Sequence, residues 1–135
     1  VIVVDTNIIL YLLLPNEKTQ LAEELRARLP HWVAPPLWRS ECRNALALYL
    51  RKSLISIDEA IALQIAAEEI MTPGEVEVSS RDVLTLASQS GRSAYDCEFV
   101  AVARSLDSIL VTEDEPLRKA FPDTAISLQE ALGRF

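Results

Sequence analysis

The sequence predicts an α/β fold in three layers, a central parallel sheet with helices on both faces. Three observations predict it. Val1-Ile2-Val3-Val4 and Ile109-Leu110-Val111-Thr112 are short, nearly unbroken apolar runs, the pattern of parallel strands covered on both faces. Short strands alternate along the chain with segments of helical periodicity, as a sheet joined by crossover helices requires. Half of the 135 residues are hydrophobic, enough to bury a core as one domain over residues 1–135.

Each element follows from local signals. Val1 to Val4 is the first strand, and Ile8 to Leu14 continues as a helix or turn that Pro15-Asn16 stops. Thr19 to Leu29 is an amphipathic helix ended by Pro30, and Trp32-Val33-Ala34 is a second strand. Leu37 to Lys52 and Ile57 to Met71 read as a helical hairpin, with Ser56 or Ile57 opening its second arm. After the turn Thr72-Pro73-Gly74, Val76 and Val78 alternate with Glu75 and Glu77, the pattern of an edge strand. Ser80 to Ser90 is helical and capped by Gly91, and Ala94 to Leu106 is the next helix. Ser108 to Thr112 is the other central strand. Pro116 opens a short helix ending near Phe121-Pro122, Thr124 to Ile126 is a last edge strand, and a helix runs from Leu128. Five strands are therefore expected. No repeat, linker or low-complexity segment interrupts them.

Several function classes drop out early. The longest apolar run, Ile8 to Leu14, is seven residues, far short of the ~20 that span a bilayer. The first residues break at Asp5 and lack a basic flank, so they do not read as a signal peptide, and the missing initiator Met suggests that residues precede Val1. Cys42, Cys97 and His31 are the only soft metal ligands, and none is paired in a zinc-like spacing. They read as two core thiols and an incidental histidine of a cytoplasmic protein. A Ser-His-Asp arrangement has no support, since His31 is isolated.

The net charge of −7 argues superficially against a nucleic-acid partner. Its distribution weakens that objection, because Asp58, Glu59, Glu68, Glu69, Glu75 and Glu77 lie in one stretch without Lys or Arg. Arg39, Arg43, Arg51 and Lys52 lie on or beside a single helix, so a positive rim around a negative centre is expected. An ordinary mixed surface is the alternative.

Four carboxylates occupy places where an acid is costly. Asp5 and Asp114 follow the two central strands and precede helices. In open α/β sheets, ligands bind beyond the carboxyl ends of neighbouring central strands. The alternative for both is helix N-capping, which Pro116 makes plausible for Asp114. Glu41 falls about 60° from Trp38 on the buried side of its helix, whereas Arg39 and Arg43 point outward at about 100° and 140°. A rim position reaching water along its stem is the other reading. Asp96 falls about 60° from Phe99, in the apolar stripe with Tyr95, Val102 and Ala103. Ser93-Ala94-Tyr95-Asp96 also reads as a capping box, which would turn that carboxylate to the helix start. Glu98 lies farther out and is only a possible accessory. Four converging acids would repel one another unless cations neutralised them. Oxygen ligands of this kind suit Mg²⁺ or Mn²⁺, metals that promote in-line phosphodiester displacement.

Together, Val3-Val4-Asp5-Thr6-Asn7, Glu41 with Asn44-Ala45-Leu46, Tyr95-Asp96 before Val100-Ala101-Val102-Ala103, and Thr112-Glu113-Asp114 carry a resemblance. The chain resembles the PIN-domain family over essentially its whole length, and within it the VapC-type toxins of toxin–antitoxin pairs. The resemblance implies a parallel sheet in the order 3-2-1-4-5 and a metal-dependent ribonuclease acting on single-stranded RNA. It makes Asp5, Glu41, Asp96 and Asp114 the catalytic metal cluster. Asn7 and Thr112 match polar positions that orient carboxylates or a metal-bound water, local turn hydrogen bonds being their alternative. It also implies a homodimer and a small antitoxin whose tail occludes the acidic groove. Ile8 to Leu14 and the two long helices are the candidate surfaces, alongside their role in the core.

Other activities fit less well. A phosphatase using Asp5 as nucleophile wants a second Asp two residues on, where Asn7 stands, and has only Lys119 as a late lysine. A receiver-like switch lacks paired acids after the first strand and a lysine after the last. A free-standing RNA-processing nuclease and an inactive PIN module acting as a binding domain remain alternatives to a toxin.

Overall fold

A computed structural model describes residues 1–135. The chain runs β1 (Ile2–Val4), α1 (Thr6–Leu13), α2 (Thr19–Arg28), β2 (Trp32–Val33), α3 (Leu37–Arg51) and α4 (Ile57–Met71). A 3₁₀ turn (Thr72–Gly74) leads to α5 (Ser80–Ser90), α6 (Ala94–Ser105), β3 (Leu110–Val111), α7 (Glu115–Ala120), β4 (Ala125–Ile126) and α8 (Leu128–Arg134). All strand pairings are parallel, in the order β2-β1-β3-β4. Helices flank this sheet as expected. α6 packs on β1 and β3 with α5 along it, α2 bridges α1 and α8, and α3 packs against α1 and α4. The apolar side chains join in one continuous buried cluster that includes all three residues of β1.

Helix starts use short side chains that accept free backbone N–H groups. Ser56 opens α4 with both halves of a capping box, its hydroxyl accepting from Glu59 N and the Glu59 carboxylate accepting from Ser56 N, each at 3.1 Å. Ser79, Ser93 and Ser127 cap α5, α6 and α8 through one bond each. Gly91 ends α5 with φ of 72°, in the left-handed region where a Cβ is penalised. Cys42 and Cys97 are buried free thiols, and burial pushes Cys42 up to about 11. Tyr95 departs from the apolar stripe assigned to it and is 64% exposed.

The expected fifth strand does not form. Residues 75–79 make one parallel bridge, Ala34 to Glu75, on the outer side of β2 where the third strand of the order 3-2-1-4-5 would lie. Two backbone bonds hold it, Ala34 N to Gly74 O at 3.1 Å and Val76 N to Ala34 O at 3.0 Å. Pairing stops because the next ladder bond would come from Pro36, which has no N–H, and the Glu75 side chain turns to α3. Its carboxylate accepts from Trp38 Nε1 at 2.8 Å and from Arg39 Nε at 2.6 Å, drawing the segment onto α3. Arg39 also reaches Glu68 at 2.7 Å and Thr72 at 2.9 Å. It therefore ties α3 to α4 and the following turn and is withdrawn from the expected positive rim.

Gly74 is where the chain passes closest to β2. A Cβ there would lie 2.0 Å from the Trp32 carbonyl oxygen, a backbone atom that cannot swing aside. Gly74→Ala is expected to lower the urea midpoint by the equivalent of about 2 kcal/mol or more. Gly133→Ala is the control, because a Cβ there meets nothing within 4 Å; as a helix-interior change it should be neutral or stabilising. Equal midpoints for wild type and Gly74→Ala would refute the close approach.

Candidate metal centre

The parallel register Val4 to Val111 sets Asp5 beside Thr112 at the carboxyl ends of β1 and β3. Thr112 donates its hydroxyl hydrogen to Asp5 Oδ2 at 2.7 Å and accepts from Asp114 N at 3.1 Å, so one threonine links both strand ends. Asp5 Oδ1 accepts from Thr6 N at 2.7 Å as the cap of α1. Asp114 Oδ1 accepts from Leu117 N at 3.0 Å as the cap of α7. For these two residues, capping and lining of the site coexist, since each carboxylate keeps lone pairs for the cavity.

Glu41 reaches the same place from α3. Its Oε1 accepts from Thr6 Oγ1 at 2.7 Å. Thr6 is itself buried, and through it the first turn of α1 and the acid of α3 are coupled. Asp96 stands on the first turn of α6. Ser93 Oγ accepts from Asp96 N at 3.0 Å, but only this half of the expected capping box exists, and the carboxylate does not turn back to Ser93. Instead it lies 3.5 Å from an Arg92 guanidinium nitrogen.

Asp5, Glu41, Asp96 and Asp114 all line one cavity of about 420 Å³, together with Thr6, Asn7, Asn44 and Arg51. Glu98 does not line it; it acts on Glu41 only through its charge and is itself held up by burial and then by Glu77. No three His, Cys, Asp or Glu side chains are gathered tightly enough to grip one ion together. The acids surround an open space and do not close a cage. Burial raises the Asp5 carboxyl above its ordinary value, and the charges of Asp96 and Asp114 add to this against the bonds from Thr112 and Thr6. Glu41 is likewise raised, first by burial and then by Asp5, Asp96 and Glu98, with Thr6 opposing. The donors are all hard oxygens, and like charges set the electrostatics. That set fits a Mg²⁺ or Mn²⁺ ion, which would offset both desolvation and repulsion.

Two contributors escaped the sequence reading. Thr6 carried a visible signal only as part of the motif around Asp5, and nothing local shows that its partner lies on α3. Arg92 stands four residues before Asp96, a spacing that brings side chains together on a helix, although Arg92 itself precedes the helix.

Comparison with known proteins gives the family and the fold. The PIN domain family matches residues 2–121. Ribonuclease VapC3 of Pyrobaculum aerophilum is 28% identical over 124 residues, covering 90% of this chain and 95% of that protein. The crystal structure of PAE2754 from Pyrobaculum aerophilum superposes with a TM-score of 0.72 at 24% identity, covering 98% of this chain and 93% of that one. FitAcB from Neisseria gonorrhoeae superposes with a TM-score of 0.75 at 15% identity, covering 96% and 99%. At those identities the two structures speak for the fold alone. The family match spans most of the sequence, from β1 through α7, and on that ground the chain belongs to the PIN domain family.

Proposed function

We propose that this PIN-domain protein is a Mg²⁺- or Mn²⁺-dependent endoribonuclease that cleaves single-stranded RNA as the toxin of a toxin–antitoxin pair. The observation that carries the reading is the meeting of Asp5, Glu41, Asp96 and Asp114 around one cavity. The likeness to a ribonuclease supports RNA as the substrate.

In this reading the four acids would hold the metal, which would supply an activated water and stabilise the leaving oxygen of the phosphodiester. The chain's own residues do the rest. Thr112 fixes one oxygen of Asp5 and Thr6 fixes one oxygen of Glu41, which limits the rotamers open to each ligand. Asn7 lines the cavity as a polar group able to orient water or phosphate, and Arg51 offers the phosphate a cation. Arg39 pairs with both Glu68 and Glu75, one guanidinium against two carboxylates, so the approach of RNA would rest on Arg51 and on the metal rather than on a positive surface. An unpaired strand is flexible enough to bring one phosphate down to the cavity acids, which a rigid duplex does less readily.

The same reading places the protein in the cytoplasm, as a homodimer held by a small antitoxin whose tail fills the cavity. No helix is long and apolar enough to cross a membrane. Leu54, Ile57, Ile61 and Ile65 are more than half exposed along the α3–α4 hairpin, and this apolar surface supports a protein partner there. Ile8 and Ile9 of α1 are instead fully buried and belong to the core.

Asp5→Asn and Asp96→Asn are each expected to reduce cleavage of single-stranded RNA by about 100-fold or more, a loss of several kcal/mol of barrier lowering. EDTA should abolish wild-type cleavage, and Mn²⁺ should raise the wild-type Tm but not that of Asp5→Asn. Cleavage indifferent to both substitutions and to chelation would sink the reading.

The raised acids also set a pH dependence for the metal-free protein. Because the folded-state pKa of Glu41 lies above its unfolded value, folding favours its protonated form. That contribution is fully present below the unfolded value of about 4.3 and is lost as pH rises through the folded one. Glu41→Gln cannot ionise and keeps an acceptor for Thr6. Without metal it is expected to be more stable than wild type at pH 7, with the gap closing toward pH 4. Glu75 and Glu113, whose carboxyls are held down by Arg39 and Lys18, give the opposite slope in both proteins and cancel in the difference. A variant less stable than wild type at pH 7 in EDTA would contradict this electrostatic account.

A further inference from the structure

Arg92 stands where a counter-charge is needed. One guanidinium nitrogen lies 3.5 Å from Asp96 Oδ2, with the two side chains 34% and 29% exposed. Its Nε is buried without any hydrogen-bond partner. The backbone beneath it is pinned, since Arg92 N donates to Ser90 Oγ at 3.1 Å and Ser90 Oγ donates to Leu86 O at 2.7 Å. Gly91, with φ of 72°, turns the chain immediately before it. The side chain is thus delivered beside Asp96, a cavity residue, by a fixed loop, yet it is held there by one long ion pair and carries an unsatisfied donor. Such a contact is weak and easily exchanged.

We infer that Arg92 is a positioning residue that opposes the metal: it balances the charge of Asp96 while the cavity holds no ion and weakens that acid's hold on an ion. This rests on the reading of Asp96 as a metal ligand. The charge balance supports it. Asp96 acts on both Asp5 and Glu41 by repulsion, so a cation at Asp96 eases the crowding of all three. When a divalent ion takes that role, the monovalent guanidinium is redundant and repelled. Arg92 then lowers metal affinity and steadies the metal-free fold, two effects that share one cause.

The test compares wild type, Arg92→Gln and Arg92→Lys by Mn²⁺ titration calorimetry and by thermal unfolding in EDTA and in saturating Mn²⁺. Arg92→Gln is expected to bind Mn²⁺ more tightly, by up to about fivefold. It should also have a lower Tm than wild type in EDTA and a larger Tm gain from Mn²⁺. Arg92→Lys, which keeps the charge, should stay near wild type. A merely structural arginine would instead lower the Tm of Arg92→Gln equally in both conditions and leave its Mn²⁺ affinity unchanged or weaker, and that result overturns the inference. Wild type that binds no Mn²⁺ at all overturns both this inference and the metal-site reading beneath it.

Discussion

The parallel pairing of β1 with β3 is the constraint on which the rest of the site depends. With Val4 opposite Val111, the residues that follow, Asp5 and Thr112, emerge side by side where the sheet ends. A slip of one residue would turn over the slipped strand and separate the acid from its threonine. The register is held by apolar burial: Val3, Val4, Leu110 and Val111 are completely inaccessible to solvent. The polar chemistry is thus fixed by groups that take no part in it. Thr112 then extends the order outward, joining Asp5 through its hydroxyl hydrogen and the Asp114 backbone through its lone pair.

Around that point the molecule tolerates a local conflict. Four acids face one cavity, and the two most buried carry carboxyls raised by desolvation and by their neighbours' charge. The conflict is tempered rather than removed. The first turns of α1 and α7 present backbone N–H groups to Asp5 and Asp114, partial positive charges that favour carboxylates. Two threonines donate to Asp5 and Glu41, and Arg92 approaches Asp96. Asp5 therefore has two compensating contacts and each of the other acids one, and all four keep acceptor capacity. That combination is what a reversible cation site requires, since full compensation by protein donors would leave no affinity for an ion.

Much of this was legible in the sequence because it is written in short-range patterns. Continuous apolar runs marked β1 and β3, and an acid at the end of each marked the place where ligands gather. Helical angles put Glu41 on the cavity side of α3, as the structure has it, whereas Arg39, expected to face outward, is half-buried against α4 and the turn after it. Asp96 could not be resolved that way, because Ser93 to Asp96 satisfies the capping-box pattern; only coordinates show that the return bond is missing. Thr6 was invisible for a different reason. Its partner is 35 residues away, and no local rule selects one buried hydroxyl contact among many. The alternation of Val and Glu over residues 75–78 misled in turn, because it records side-chain facing and not whether neighbouring backbone is free to pair.

The edge of the sheet and the aim of Glu41 are physically linked through α3. Arg39 and Glu41 are two residues apart on α3 and so point about 160° apart around its axis. Arg39 is held by Glu68, Thr72 and Glu75, and Trp38 beside it donates to the same Glu75 carboxylate. These bonds fix the rotation of α3 about its own axis. With the outward face clamped to α4 and the turn after it, the opposite face can only present Glu41 toward α1, where Thr6 receives it. Glu75 meets this demand from its single bridge to Ala34 at the sheet edge. The edge of the sheet is thus part of how the chain orients a cavity acid on α3, which meets the strand end carrying Asp5 through Thr6.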